Sequence, residues 1–136
     1  SMSMSNTTEN DVLKMMLQGT DPSWRAGATQ WIALHTADPG EAGSAVTSEA
    51  NYTSYARVAV TKSSGWTDGG ATFSNAALVQ FPQCTGGSNA ITHFSVVTSS
   101  SGAGQILVSG ALSATLNVAT GIQPQFAIGD LDVTAD

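Results

Sequence analysis

The sequence predicts a mostly β fold, an antiparallel β-sandwich of jelly-roll type with one short N-terminal helix. Three observations carry this. Short apolar runs recur between clusters of Gly, Pro, Ser and Thr, the spacing of strands joined by tight turns. Only one segment shows helical periodicity, which argues against alternating strand and helix units. Finally, residues 69–129 contain no Asp, Glu, Lys or Arg, and the Ser, Thr, Gly and branched apolar residues that remain suit pleated sheet and turns.

The helix is predicted over residues 8–18. Thr8 or Asn6 caps it, Glu9 and Asp11 complement the positive end of its dipole, and Gly19 offers a left-handed stop. Val12, Met15 and Met16, with Leu13 and Leu17 beside them, form an apolar stripe and an assembly face. A helix this short needs a partner surface, either its own sheet or a neighbouring subunit. Residues 1–7 are set outside the fold as a disordered or tag-derived N-terminus, and 8–136 are expected to form a single domain.

About eight strands follow by the spacing rule. Gln30 to Thr36 alternates Trp31, Ala33 and His35 with Ile32, Leu34 and Thr36, and Asp38, Pro39 and Gly40 end it in a turn. Residues 40–54 read as a long loop, and Tyr55 to Thr61 as the next strand. Ser63 to Gly70 reads as a turn region holding Trp66. Further strands are expected at 71–73, 78–81, 91–98, 105–112, 114–119 and 131–134, separated by Pro82, the Gly86 and Gly87 pair, 99–104 and the Thr120 and Gly121 pair.

Charge restricts function. The net charge is −6, and the four cations, Lys14, Arg25, Arg57 and Lys62, all lie in the first 62 residues. Phosphate binding needs clustered Lys and Arg, so a nucleic-acid role and an acidic membrane surface are both disfavoured. Only 10% of residues are charged while 41% are apolar, the balance of a folded chain. With no charged leader ahead of an apolar core and no apolar run of spanning length, a soluble chain without an export signal is expected.

The residues offer little catalytic vocabulary. His35 and Asp38 stand three apart at a strand end, which a turn explains without a shared site. Cys84 and His93 lack an acidic residue nearby in sequence to orient them, and Cys84 reads as a small buried hydrophobe. No nucleophile elbow or phosphate loop is present. No catalytic residue, metal ligand or cofactor is therefore expected, and the chain reads as a non-enzyme. Arg57 suits either a clamp holding the long loop through Asp38 or Glu49, or an intersubunit contact. Trp24, Trp66 and Tyr52 are candidate aromatic contacts, and a glycan-stacking platform is the alternative binding reading.

Ordered short motifs then point to a family. Trp31 to Gly40 (WIALHTADPG), Thr47 to Ala50 (TSEA), Tyr55 to Val60 (YARVAV), Ser63 to Thr67 (SSGWT), Ser74 to Ala77 (SNAA) and Phe81-Pro82 come first. Cys84 to Gly87 (CTGG), Ile91 to Phe94 (ITHF), Gly110 to Leu112 (GAL), Gly121 to Pro124 (GIQP) and Gly129 to Val133 (GDLDV) complete the series. In this order, over residues 8–134, they resemble small tailed-bacteriophage virion proteins commonly labelled phage tail fibre proteins. The resemblance implies a virion structural protein, assembled in the host cytoplasm with other virion proteins and without a reaction. A homo-oligomer is expected, a trimer by analogy with phage fibres and decorations. Capsid decoration and host-glycan binding are the alternatives.

Overall fold

The computed structural model describes residues 2–135. Its elements, in chain order, are β1 (Met2–Met4), α1 (Asn6–Gln18), a single 3-10 turn (Ser23–Arg25), β2 (Thr29–His35), β3 (Val58–Thr61), β4 (Trp66–Asp68) and β5 (Thr72–Asn75). They continue with β6 (Val79–Gln80), β7 (Ser88–Val97), β8 (Ile106–Ala119), β9 (Gln125–Phe126) and β10 (Asp132–Thr134). All strand pairings are antiparallel. The main sheet has the order β1-β8-β7-β2-β3, beside smaller sheets β10-β5-β4 and β6-β9. The mostly β, antiparallel class with one helix is thus the one the sequence predicts.

β2 shows how the layers arise. Alternation sends Ile32 and Leu34 to one face and Ala33 and His35 to the other, yet all four are fully buried, because the strand is central and covered on both sides. On the first face Ile32 and Leu34 join Val60, Phe94, Val96, Val108 and Val118, and meet Val79 of β6 together with Phe81 and Leu131, which flank β6 and β10. This is the sandwich-like core. On the second face Ala33, Val97 and Ile106 pack with Ala45 from the loop at 36–57.

Residues 2–5 belong to the fold, a correction to their exclusion. Met2, Ser3 and Met4 pair with Gly110, Ser109 and Val108 on the edge of β8, and Met2 and Met4 pack against the core. Gly110 permits this, since a Cβ there would collide with the Met2 sulfur. Ser1 lies outside the described residues.

Other boundaries move for local reasons. The helix cap is Ser5, whose hydroxyl oxygen accepts from the Thr8 N–H at 3.2 Å, while Asn6 is already helical. Gly19 ends the helix at φ 65, as its freedom allows. The strand expected from Tyr55 starts only at Val58. Ser54 sits at φ 83 and the Tyr55 N–H turns back to the Tyr52 carbonyl at 3.0 Å, so residues 55–57 are spent on side-chain contacts. Trp66–Asp68, read as turn, pairs with Phe73 to Asn75. The strands expected at 105–112 and 114–119 are one strand of 14 residues. Its irregularity appears in the register instead: Ile91 faces Leu116 whereas His93 faces Ala111, so β8 carries extra residues there.

Candidate functional site

The largest concentration of buried polar chemistry lies where the 36–57 loop crosses the main sheet. The Arg57 and Glu49 side chains are 3% and 13% exposed. Arg57 Nε donates to Glu49 Oε2 at 2.8 Å and Nη2 to Oε1 at 2.9 Å, a bidentate pair. The same guanidinium donates to the carbonyls of Ser99 at 3.0 Å and Gly102 at 2.6 Å. It therefore ties the 36–57 loop to the connection between β7 and β8. Hydrogen bonding to Glu49, opposed by burial, raises the Arg57 pKa further.

Tyr55 completes the cluster. Its hydroxyl donates to Glu49 Oε2 at 2.7 Å and accepts the Leu34 N–H at 3.1 Å. Burial, reinforced by the Glu49 carboxylate, raises its pKa strongly, so the phenol stays protonated. Tyr52 lies deeper, 3% exposed, with its hydroxyl donating to the Pro82 carbonyl at 2.7 Å. Burial, with Cys84 nearby, pushes its pKa up to about 12. Tyr52 is a core residue, which corrects its reading as a surface contact. Asp38 takes no part in the clamp; its carboxylate accepts the Gly40 N–H at 2.9 Å within the turn.

His35 is fully buried on the loop side of β2. Nδ1 lies 2.8 Å from the Thr47 carbonyl, which only accepts, so Nδ1 carries the proton. In the neutral ring Nε2 then accepts from the Ser95 hydroxyl at 2.7 Å. Burial lowers the His35 pKa, only partly opposed by the Thr47 carbonyl and Glu49; His93 and Arg57 lower it further. A native pKa below the unfolded value near 6.5 means the unfolded chain binds the extra proton first. Stability is therefore whole above about pH 6.5 and declines as pH falls toward the native pKa, with a slope of at most about 1.4 kcal/mol per pH unit from this group. Urea titrations between pH 8 and 5 are expected to show this decline, and His35→Gln is expected to flatten it.

The remaining candidates are dispersed. The Cys84 thiol is buried and donates to the Gly86 carbonyl at 3.2 Å, while the His93 ring bonds the Thr92 hydroxyl at 2.8 Å. Among the described residues, no three His, Cys, Asp or Glu side chains gather to hold a metal ion. None of the helices there is long and apolar enough to cross a membrane. Trp24 and Trp66 are half-buried on different structural supports: Trp24 donates to Asp11 at 2.9 Å and Trp66 to Gln30 at 3.1 Å.

α1 is attached by polar groups. The buried Thr8 hydroxyl donates to the Ile106 carbonyl at 3.0 Å. The Asp11 carboxylate accepts from Trp24 and from the Gln105 amide at 3.0 Å. Those two bonds hold the Asp11 pKa below its usual value, Gln105 contributing most. Residues 8, 11, 12 and 15 share this docked side, and Val12 and Met15 are half-buried. Leu13, Met16 and Leu17 face away and are 50%, 67% and 77% exposed. Of the expected assembly face, only Met16 lies on this outward stripe.

The molecule is thus a β-rich framework with one buried ion pair, Arg57 with Glu49, and three apolar side chains turned outward on a helix. Residues 3–134 match the family model described as podophage GP4 fiber I protein gp80. The chain belongs to that family of phage fibre proteins. Comparison with curated proteins found no significant match.

Proposed function

We propose that the chain is a non-enzymatic structural subunit of the phage fibre, assembled in the host cytoplasm and carried in the virion. It acts through protein-protein association as a single folded unit, with copies of itself and with other virion proteins. The observation that carries this reading, given the family, is the outward stripe of Leu13, Met16 and Leu17. Exposed apolar side chains clustered on one helix face mark an interaction surface.

The occupant is a second copy of the same chain. The stripe is uncharged, and its flanking Glu9 and Lys14 have opposite signs, so copies meet without like-charge repulsion. Three side chains fall short of the roughly 1,200 Å² of a stable interface. The exposed Phe73, Leu78, Ile122 and Ile128 of the uncharged stretch supply further contact area. Threefold stoichiometry follows the fibre analogy. Gold labelling of a tagged chain in intact virions, viewed by electron microscopy, is expected to mark the fibres. Label in many copies over the head would assign capsid decoration and overturn the proposal.

A further inference from the structure

The main sheet ends on β3, and the outer edge of that strand is open. The Lys62 N–H donates to the Ala28 carbonyl at 2.8 Å, and the register continues with Val60 opposite Gln30 and Val58 opposite Ile32. In an antiparallel ladder these alternate residues exchange hydrogen bonds with the neighbour, so the backbone groups of Ala59 and Thr61 point outward. The Gly65 N–H takes the Thr61 carbonyl at 2.9 Å. Among the described residues, the Ala59 N–H, the Ala59 carbonyl and the Thr61 N–H meet no partner, and both residues are exposed.

A second free edge faces the first. The Phe81 N–H donates to the Pro124 carbonyl at 2.9 Å and Val79 stands opposite Phe126, so by the same alternation Leu78 turns its backbone groups away from β9. Between the two edges lies a groove of about 250 Å³, with residues 58–61 on one side and 77–79 on the other. The bond from the Ala76 N–H to the Gly65 carbonyl at 2.9 Å ties the sides together beside Gly65 and Ala77. No charged side chain lines the groove, and Val60 and Val79 along it are buried.

These features select the occupant. Only an extended backbone offers donors and acceptors in the alternation that Ala59 and Thr61 require. The volume is also below the roughly 300–1,000 Å³ of small-ligand sites. Uncharged walls beside Val60 and Val79 suit small apolar side chains at every second position of the incoming strand. A second copy has no such strand to spare, because β1 and β10 are already paired with β8 and β5. The net charge of −6 favours a segment with basic rather than acidic flanks.

We infer that the groove between β3 and residues 77–79 receives an extended, basic-flanked segment of a different virion protein, which adds to the main sheet as a strand. This rests on the assembly reading above and gives it a second surface, apart from the α1 stripe. The test is NMR titration of the full chain with a synthetic octapeptide of alternating Thr and Val between terminal Lys residues, followed by amide hydrogen exchange. Saturable binding is expected, with Kd on the order of millimolar, and exchange at the Ala59 and Thr61 amides should slow at least about tenfold. N-methylation of the three Val nitrogens in one peptide, and of the three Thr nitrogens in another, keeps the side chains and removes one row of donors each time. At least one of the two should bind about tenfold more weakly. Ala59→Pro removes an outward N–H, a change that edge strands accept, and should weaken binding likewise; the methylated peptides keep the test decisive if that variant misfolds. Self-association is read separately by sedimentation, so either result can fail alone. Absence of peptide binding, indifference to both methylations, or tighter binding of a Glu-flanked peptide would overturn the inference. So would Ala59 and Thr61 amides already protected in the peptide-free chain, because a second copy then fills the groove.

Discussion

Arg57→Ala is expected to lower folding stability by about 3–5 kcal/mol, the cost of leaving a buried charge without its partner. Glu49 is then abandoned at 13% exposure, and the carbonyls of Ser99 and Gly102 lose their donor. The loss is also topological. The 36–57 loop covers the second face of the main sheet through Ala45, and its other anchors are single bonds between uncharged groups, such as the Ala50 N–H to the Leu34 carbonyl at 2.9 Å and the His35 ring to the Thr47 carbonyl at 2.8 Å. Urea unfolding followed by circular dichroism measures the effect. Glu49→Ala should fall in the same range, and the double variant Arg57→Met with Glu49→Leu should recover part of the loss, because both charges leave together. A loss below about 1 kcal/mol for Arg57→Ala, the scale of a surface pair, would contradict the clamp.

Leu13→Glu combined with Leu17→Glu is expected to disperse the assembly while the fold persists. Both side chains are at least half exposed in the isolated chain, so charge there costs the monomer little. Within a desolvated interface the same change costs about 2–4 kcal/mol, the scale of an interface hot spot. Val12→Ala serves as the contrast: Val12 lies on the docked side, so its effect belongs to stability. Size-exclusion chromatography and thermal unfolding together separate the two outcomes.

The sheet framework was legible because its signals are local. β5 to β9 all fall within 69–129, where uncharged residues between Gly and Pro leave few alternatives to strand and turn. Arg57 with Glu49 was legible as a pairing of opposite charges, although nothing in the chain distinguished Glu49 from Asp38. Which side of the helix docks was not legible, for a physical reason. Hydrophobic periodicity assumes that the apolar side is buried, whereas α1 docks through Thr8 and Asp11 to Ile106 and Gln105 at the start of β8. Hydrogen bonds between groups more than 90 residues apart leave no periodic trace. β1 escaped notice because three residues carry too little pattern, and its place depends on the missing side chain of Gly110. The groove between β3 and residues 77–79 was equally hidden, since only the fold sets those two edges side by side.

Sedimentation velocity of the purified chain across a range of concentrations tests self-association most directly. The account predicts a species of about three times the 13.8 kDa chain mass that shifts to the single-chain mass in the Leu13→Glu, Leu17→Glu variant. A wild-type chain that sediments at 13.8 kDa at every concentration would contradict it.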